Sequence, residues 1–304
     1  MPTTHHRRRR AAHLAVPAAL VASLLLTCGC TGAAPSAQPT DGMPGMPGMT
    51  GMTGMPGMGE VSSAPTTPAL AAAAPDGTGL SASLHGYTLV APTSPIAADR
   101  PDTYTFHITG PSGKAITRYQ PYESAFVICY VIRSDLAEFH YLQPAMREDG
   151  TWTASLPGLP SGSYRMFTSF AAPDSSQGTP LVYQLSVPFT VSGTAVAAQS
   201  ADTYALSLSG APKAGETGPL TISVTRSGEP VTSFQRFLDA YVHLTAFHTG
   251  DLAYAHILSL GDVAQGSGTT TAEALFPERG TWRVFAQFEG DGALHTAETT
   301  IDVP

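Results

Sequence analysis

Apolar and polar side chains alternate over much of the C-terminal two-thirds of this chain. Leu220-Thr-Ile-Ser-Val-Thr225 places an apolar residue at every second position. Tyr204-Ala-Leu-Ser-Leu208, Tyr241-Val-His-Leu-Thr-Ala-Phe247 and Trp282-Arg-Val-Phe-Ala-Gln-Phe288 do likewise. A period of two sends successive side chains to opposite faces, so each segment predicts a half-buried strand. Gly, Pro and Asp separate the segments at short intervals, as in Asp149-Gly150 and Asp291-Gly292, where they serve turn chemistry. No segment carries a convincing amphipathic helical period. Ala125-Phe-Val-Ile-Cys-Tyr-Val-Ile132 is apolar almost throughout, which predicts that Cys129 is a buried small hydrophobe rather than a reactive nucleophile.

The pattern occurs twice. Gly113-Lys-Ala-Ile-Thr117 aligns with Gly228-Glu-Pro-Val-Thr232, Gln120 with Gln235, and Ala125-Phe-Val with Ala240-Tyr-Val. After a one-residue slip, Asp135-Leu-Ala falls on Asp251-Leu-Ala and His140 on His256. Gly162-Ser-Tyr-Arg-Met-Phe167 then matches Gly280-Thr-Trp-Arg-Val-Phe285, and Phe170 matches Phe288. The two units span residues 80–193 and 194–304. Some seven short strands in about 110 residues predict an all-β chain of two tandem immunoglobulin-like antiparallel β-sandwich domains. The paired cysteines of antibody domains are missing, so only the architecture carries over. Gly-Ser-Tyr-Arg and Gly-Thr-Trp-Arg read as glycine turns entering core strands, with Tyr164 and Trp282 as packing residues.

Composition changes sharply before the first unit. Residues 1–29 read as a lipoprotein signal: Arg7 to Arg10 form a basic start, and Leu14 to Leu26 form an apolar stretch too short to span a bilayer of about 30 Å comfortably. Gly29 supplies the small residue wanted before an acylated cysteine, which makes Cys30 the expected lipidation site and the membrane the expected partner. Residues 30–79 are Ala, Pro, Gly, Ser, Thr and Met with almost no charge, the composition of a disordered tether. With Cys28 cleaved off and Cys30 acylated, Cys129 is left as one free thiol and no intrachain disulfide is expected. The whole chain has 15 basic and 23 acidic residues, and losing the four signal arginines makes it more acidic still. That balance argues against nucleic acid as a partner.

Within the tether, Met43, Met46, Met49, Met52, Met55 and Met58 recur every third residue, separated by Pro-Gly or Thr-Gly. A Gly/Pro-rich segment has no core for methionine to fill, and soft thioether sulfur selects Cu(I). Pro-Gly suits the centre of a type II turn, which brings the flanking methionines within about 7 Å at Cα. An extended polyproline II chain would instead stack them on one side, about 9 Å apart. In both geometries the sulfurs share a face. The competing account is a low-complexity tether in which methionine is incidental.

Asp239-Ala-Tyr-Val-His243, Gly250-Asp-Leu-Ala-Tyr-Ala-His256, Phe276-Pro-Glu-Arg-Gly-Thr-Trp-Arg-Val-Phe-Ala-Gln-Phe288 and His295-Thr-Ala resemble a family of exported actinobacterial proteins with a heavy-metal-binding-type domain. The resemblance covers the second unit well and the first weakly. It implies that His243 and His256 occupy the family's first two histidine positions, while Leu258 stands where a third would be. In the first unit only His140 remains, with Ile128 opposite His243 and Tyr183 opposite His295. His243 and His256, joined by His295 from a neighbouring strand, are then expected to hold a metal, since imidazole suits Cu or Zn. Each of the three is otherwise a hydrogen-bonded strand residue. His248, on the hairpin before Gly250-Asp251, is expected to be exposed and without a role.

The chain has no Gly-x-Ser-x-Gly elbow, phosphate-binding glycine loop or His-Glu-x-x-His, and it is not expected to be an enzyme. The expectation is an exported, lipid-anchored protein that binds metal, with copper as Cu(I) on the methionine tract, for buffering or transfer to a metal-handling protein. The alternative is a non-catalytic structural or protein-interaction lipoprotein with an inert tether.

Overall fold

The computed structural model describes residues 77–92, 94–172, 181–194, 204–238, 240–260 and 267–304. All regular structure among them is β. The first unit begins with β1 (Ser83–Leu84), β2 (Tyr87–Val90), β3 (Ile96–Ala97), β4 (Asp102–Thr109) and β5 (Val127–Arg133). It continues with β6 (Phe139–Leu142), β7 (Ala145–Met146), β8 (Trp152–Leu156), β9 (Gly162–Ala171) and β10 (Val182–Ser192). The second unit begins with β11 (Tyr204–Ser209), β12 (Thr217–Arg226), β13 (Glu229–Pro230) and β14 (His243–His248). It ends with β15 (Tyr254–Ser259), β16 (Thr269–Leu275), β17 (Gly280–Gly290) and β18 (Ala293–Val303).

In the first unit a sheet ordered β1-β2-β4-β8-β7 packs on one ordered β3-β10-β9-β5-β6. All of these pairings are antiparallel except that of β3 with β10. Among the described residues, the second unit repeats the central strands of this arrangement without counterparts of β1, β3 and β7. Its layers β11-β12-β16 and β15-β14-β17-β18 join into one curled sheet, because β15 pairs with β16 from His256↔Leu275 to Ser259↔Ala272. Each unit is an immunoglobulin-like antiparallel sandwich.

The alternation expected from the sequence is realised in β12, where Leu220, Ile222 and Val224 are buried in the core with more exposed residues between them. Tyr164 and Trp282 are buried core residues, and each also ties down the loop before its own strand. The Tyr164 hydroxyl donates to the Pro160 carbonyl at 2.8 Å, and Trp282 Nε1 donates to the Glu278 carbonyl at 3.3 Å.

β5 is buried along nearly its whole length for a different reason. Val127, Cys129 and Val131 face the core of their own sandwich, whereas Ile128, Tyr130 and Ile132 face the second sandwich. A strand covered on both faces has no polar side to display, which explains its unbroken apolar run. Burial pushes the Cys129 thiol well above its ordinary range, so it stays protonated, as expected for a buried small hydrophobe.

The two sandwiches therefore share a third core. Phe139 stacks on Phe285 with ring centres 4.4 Å apart, Phe167 meets Phe247 at 4.9 Å, and Tyr141 meets Phe237 edge-on at 5.4 Å. The segment leading into β1 is part of this seam. Tyr254 N donates to the Thr78 carbonyl at 2.8 Å, and Arg165 reaches the Leu80 carbonyl at 3.1 Å. At Gly79, φ is +74° and a Cβ would lie 2.6 Å from Gln184 Cγ, so only glycine passes there. Gly79, assigned to the tether by composition, is thus buried in the fold, and Thr78 beside it is bonded through its carbonyl.

Candidate functional site

Strand parity decides which histidines meet. On β14, β15 and β17 the even-numbered strand partners Leu244↔Ala286 and the odd–even pair Ile257↔Leu244 face the second sandwich's own core. Thr245, His256 and Phe285 stand opposite one another on the other face, toward the first sandwich. His243 shares that face. His295 pairs with Phe288, a residue of the inner core, and so lies on the opposite side of the sheet. There its Nε2 lies 3.0 Å from the Gly290 carbonyl and its ring packs on Tyr204. The set of His243, His256 and His295 that the resemblance implied is not brought together, because strand register places His295 on the opposite face.

His256 is 4% exposed and sits in the seam. A tight turn from the first sandwich reaches over it, closed by Tyr122 N donating to the Ala125 carbonyl at 2.8 Å and Ala125 N donating back at 2.9 Å. The Tyr122 hydroxyl lies 3.3 Å from His256 Nε2 and the Tyr254 hydroxyl 3.4 Å from Nδ1. Glu123 Oε1 is 3.5 Å from Nε2. Burial lowers the imidazole pKa to about 4, so the ring is neutral at pH 7 and exchanges hydrogen bonds with tyrosines. Burial likewise pushes the Tyr122, Tyr130 and Tyr254 phenols up. His243 and His256 line a cavity of about 50 Å³ together with Glu123, Tyr130, Tyr254 and Ser259. That volume suits a water molecule or two rather than an organic ligand. His243 Nε2 lies 2.6 Å from the Phe237 carbonyl, which engages one of its two nitrogens.

A different histidine stands among carboxylates. His248 Nδ1 is 3.0 Å from Asp251 Oδ1 and 3.4 Å from Glu278 Oε1. Its ring leans on Trp282 at 5.1 Å, and its side chain is 19% exposed. Gly280 makes room for it, since a Cβ there would fall 2.4 Å from Nε2. Burial pushes the Asp251 carboxyl up, but the Ala253 N–H and the His248 imidazole outweigh this and hold it below its ordinary value. The expectation that His248 is exposed is corrected: its side chain is mostly covered, where the β14–β15 hairpin and the loop before β17 converge on it. The repeat alignment contained the signal, because Asp135 and Gly162 recur as Asp251 and Gly280 around an Arg-to-His exchange.

Met43, Met46, Met49, Met52, Met55, Met58 and Cys30 lie outside the described residues. No helix among the described residues is long and apolar enough to cross a membrane.

The fold defines the chain as a tandem immunoglobulin-like protein with a buried tyrosine–histidine seam. A family model described as a domain of unknown function (DUF8832) matches residues 198–304, the second sandwich. No curated protein matches the chain. Among solved structures, the Escherichia coli adhesin FdeC is similar at 17% identity and a TM-score of 0.25, over 73% of this chain and 65% of that one. InvD of Yersinia pseudotuberculosis is similar at 19% identity and a TM-score of 0.24, over 72% of this chain and 57% of that one. A chimeric titin Z1Z2 is similar at 15% identity and a TM-score of 0.20, over 73% and 98%. The chain thus spans less than two thirds of the length of the first two.

Proposed function

We propose that this is an exported protein, held at the outer face of the cell membrane by lipid on Cys30, that presents two fused sandwiches to a protein partner without catalysing a reaction. The shared aromatic core supports this reading. Phe139, Phe167, Phe247 and Phe285 bury apolar surface of both units together, so the pair is suited to act as one stiff display body at the end of a leash. The lipoprotein-type start and the acidic composition fit an extracytoplasmic setting with no nucleic-acid partner. The test is surface proteolysis of intact cells. Cleavage in the tether is expected to release both sandwiches as one fragment, and Cys30→Ala to shift the chain into the medium. Retention of that variant on the membrane, or separation of the two units into different fragments, would overturn the proposal.

The methionine spacing favours a second activity on the same leash: capture of Cu(I) by the six tract thioethers, for buffering or transfer to a metal-handling protein. The resemblance to the heavy-metal-binding-type family points the same way. Titration of the full mature chain with Cu(I) against a competing chelator is expected to show binding that disappears when the six methionines become leucine. Equal binding by both proteins, or by neither, makes the segment a spacer only.

A further inference from the structure

The repeats carry the same aromatic-backed position with different occupants. Arg133 pairs across the sheet with Tyr164, and His248 pairs in the same register with Trp282. Each side chain crosses a glycine: a Cβ on Gly162 would meet Arg133 Cδ at 3.0 Å, as one on Gly280 would meet the His248 ring. Each also turns to the aspartate of its own hairpin. Arg133 Nε donates to Asp135 Oδ1 at 2.8 Å, where His248 Nδ1 meets Asp251 Oδ1 at 3.0 Å. In the first unit, a permanent cation is paired with Asp135, and Glu138 also acts on it. In the second, the imidazole carries no permanent charge and the carboxylates number two, because Glu278 stands where the first unit has Pro160.

The second unit therefore lacks a permanent cation at a place where its twin holds one. One further observation marks the gap. A ring nitrogen carries at most one hydrogen, so Nδ1 cannot donate a separate N–H to both Asp251 and Glu278. Glu278 Oε1 is buried and accepts no hydrogen bond among the described residues, although it faces that nitrogen at 3.4 Å. The three ligand atoms lie within 4.8 Å of one another. Ligands bonded at 2.0–2.1 Å to a tetrahedral ion sit about 3.3 Å apart, close to the two separations from Nδ1.

We propose that His248 Nδ1, Asp251 Oδ1 and Glu278 Oε1 form a site for a divalent cation of the zinc class, the ion standing where Arg133 places its guanidinium in the first sandwich. One nitrogen and two carboxylate oxygens make a borderline donor set that suits Zn(II), with water completing the shell. Binding displaces the Nδ1 proton to solvent and leaves the ring as the Nε2–H tautomer. The partly exposed Asp251 and Glu278 side chains give the ion its way in. The ion clamps the β14–β15 hairpin to the loop before β17.

The site does not depend on the tether. The test uses the full mature chain with the six tract methionines changed to leucine, so that thioether binding plays no part. Calorimetric titration with Zn(II) is expected to show one equivalent bound, and nitrogen-15 NMR to show His248 switching to the Nε2–H form. His248→Gln and Glu278→Gln are each expected to weaken binding at least tenfold. His248→Arg copies the first sandwich: it should keep the fold and its melting temperature while losing zinc altogether. Zinc bound by the His248→Arg protein as by its parent, or no zinc bound by the parent at millimolar concentration, overturns the proposal.

Discussion

Phe247→Ala will cost about 3–5 kcal/mol and divide one unfolding transition into two. The cost follows from deleting a fully buried aromatic side chain, with loss of transfer free energy and a cavity left behind. The division follows from its position. Phe247 touches Phe139 and Phe167 of the first sandwich, at ring-centre distances of 6.1 and 4.9 Å, and Tyr254 and Phe285 of the second, at 6.0 and 6.3 Å. Each sandwich has a core of its own, so the shared core is what couples their stabilities. Differential scanning calorimetry of the intact chain is expected to give one endotherm, and the variant a separate, earlier one for the second sandwich. A single endotherm, with stability lowered by less than about 1 kcal/mol, would show that the seam does not couple the units.

Acidification will loosen the same seam on the order of 3 kcal/mol between pH 6.5 and 4, from His256 alone. The unfolded imidazole takes up a proton near pH 6.5, whereas burial lowers the folded value to about 4. Between those values the unfolded state binds more protons than the native state, so stability falls as pH falls. Above the window both states are neutral, and below it both are charged, so His256 adds no further slope. Burial also lowers the His140 pKa, against the opposing pull of Glu138, which adds in the same direction. Urea titrations at pH 7 and pH 4.5 measure the loss, and His256→Gln should remove most of it. An unchanged pH slope in that variant would show that the charge is accommodated in the seam.

The histidines mark where local sequence stops informing the fold. His256 was legible as a strand histidine in a repeat, but its neighbours were not: Tyr122 and Glu123 lie more than 130 positions earlier, as the Tyr122 contact shows. The family resemblance implied that His295 could join His243 and His256, yet the pairing of His295 with Phe288 turns it to the other face. A one-residue difference in register inverts a strand's faces, and local sequence does not encode register across strands. His248 was passed over because hairpin residues are usually solvated. What raises its interest is the convergence of Asp251 from the same hairpin with Glu278 from a loop some thirty residues on, visible only once β14 and β17 are paired.

The chain by itself determined its strands, its duplication and its immunoglobulin-like class, because alternation and turn residues act between near neighbours. It also carries the regular methionine tract. Tertiary structure alone decided that the two sandwiches share a core and which histidines face which carboxylates. Burying one strand on both faces needs a partner surface from a distant segment, and an apolar run such as Val127–Ile132 demands cover without naming what supplies it.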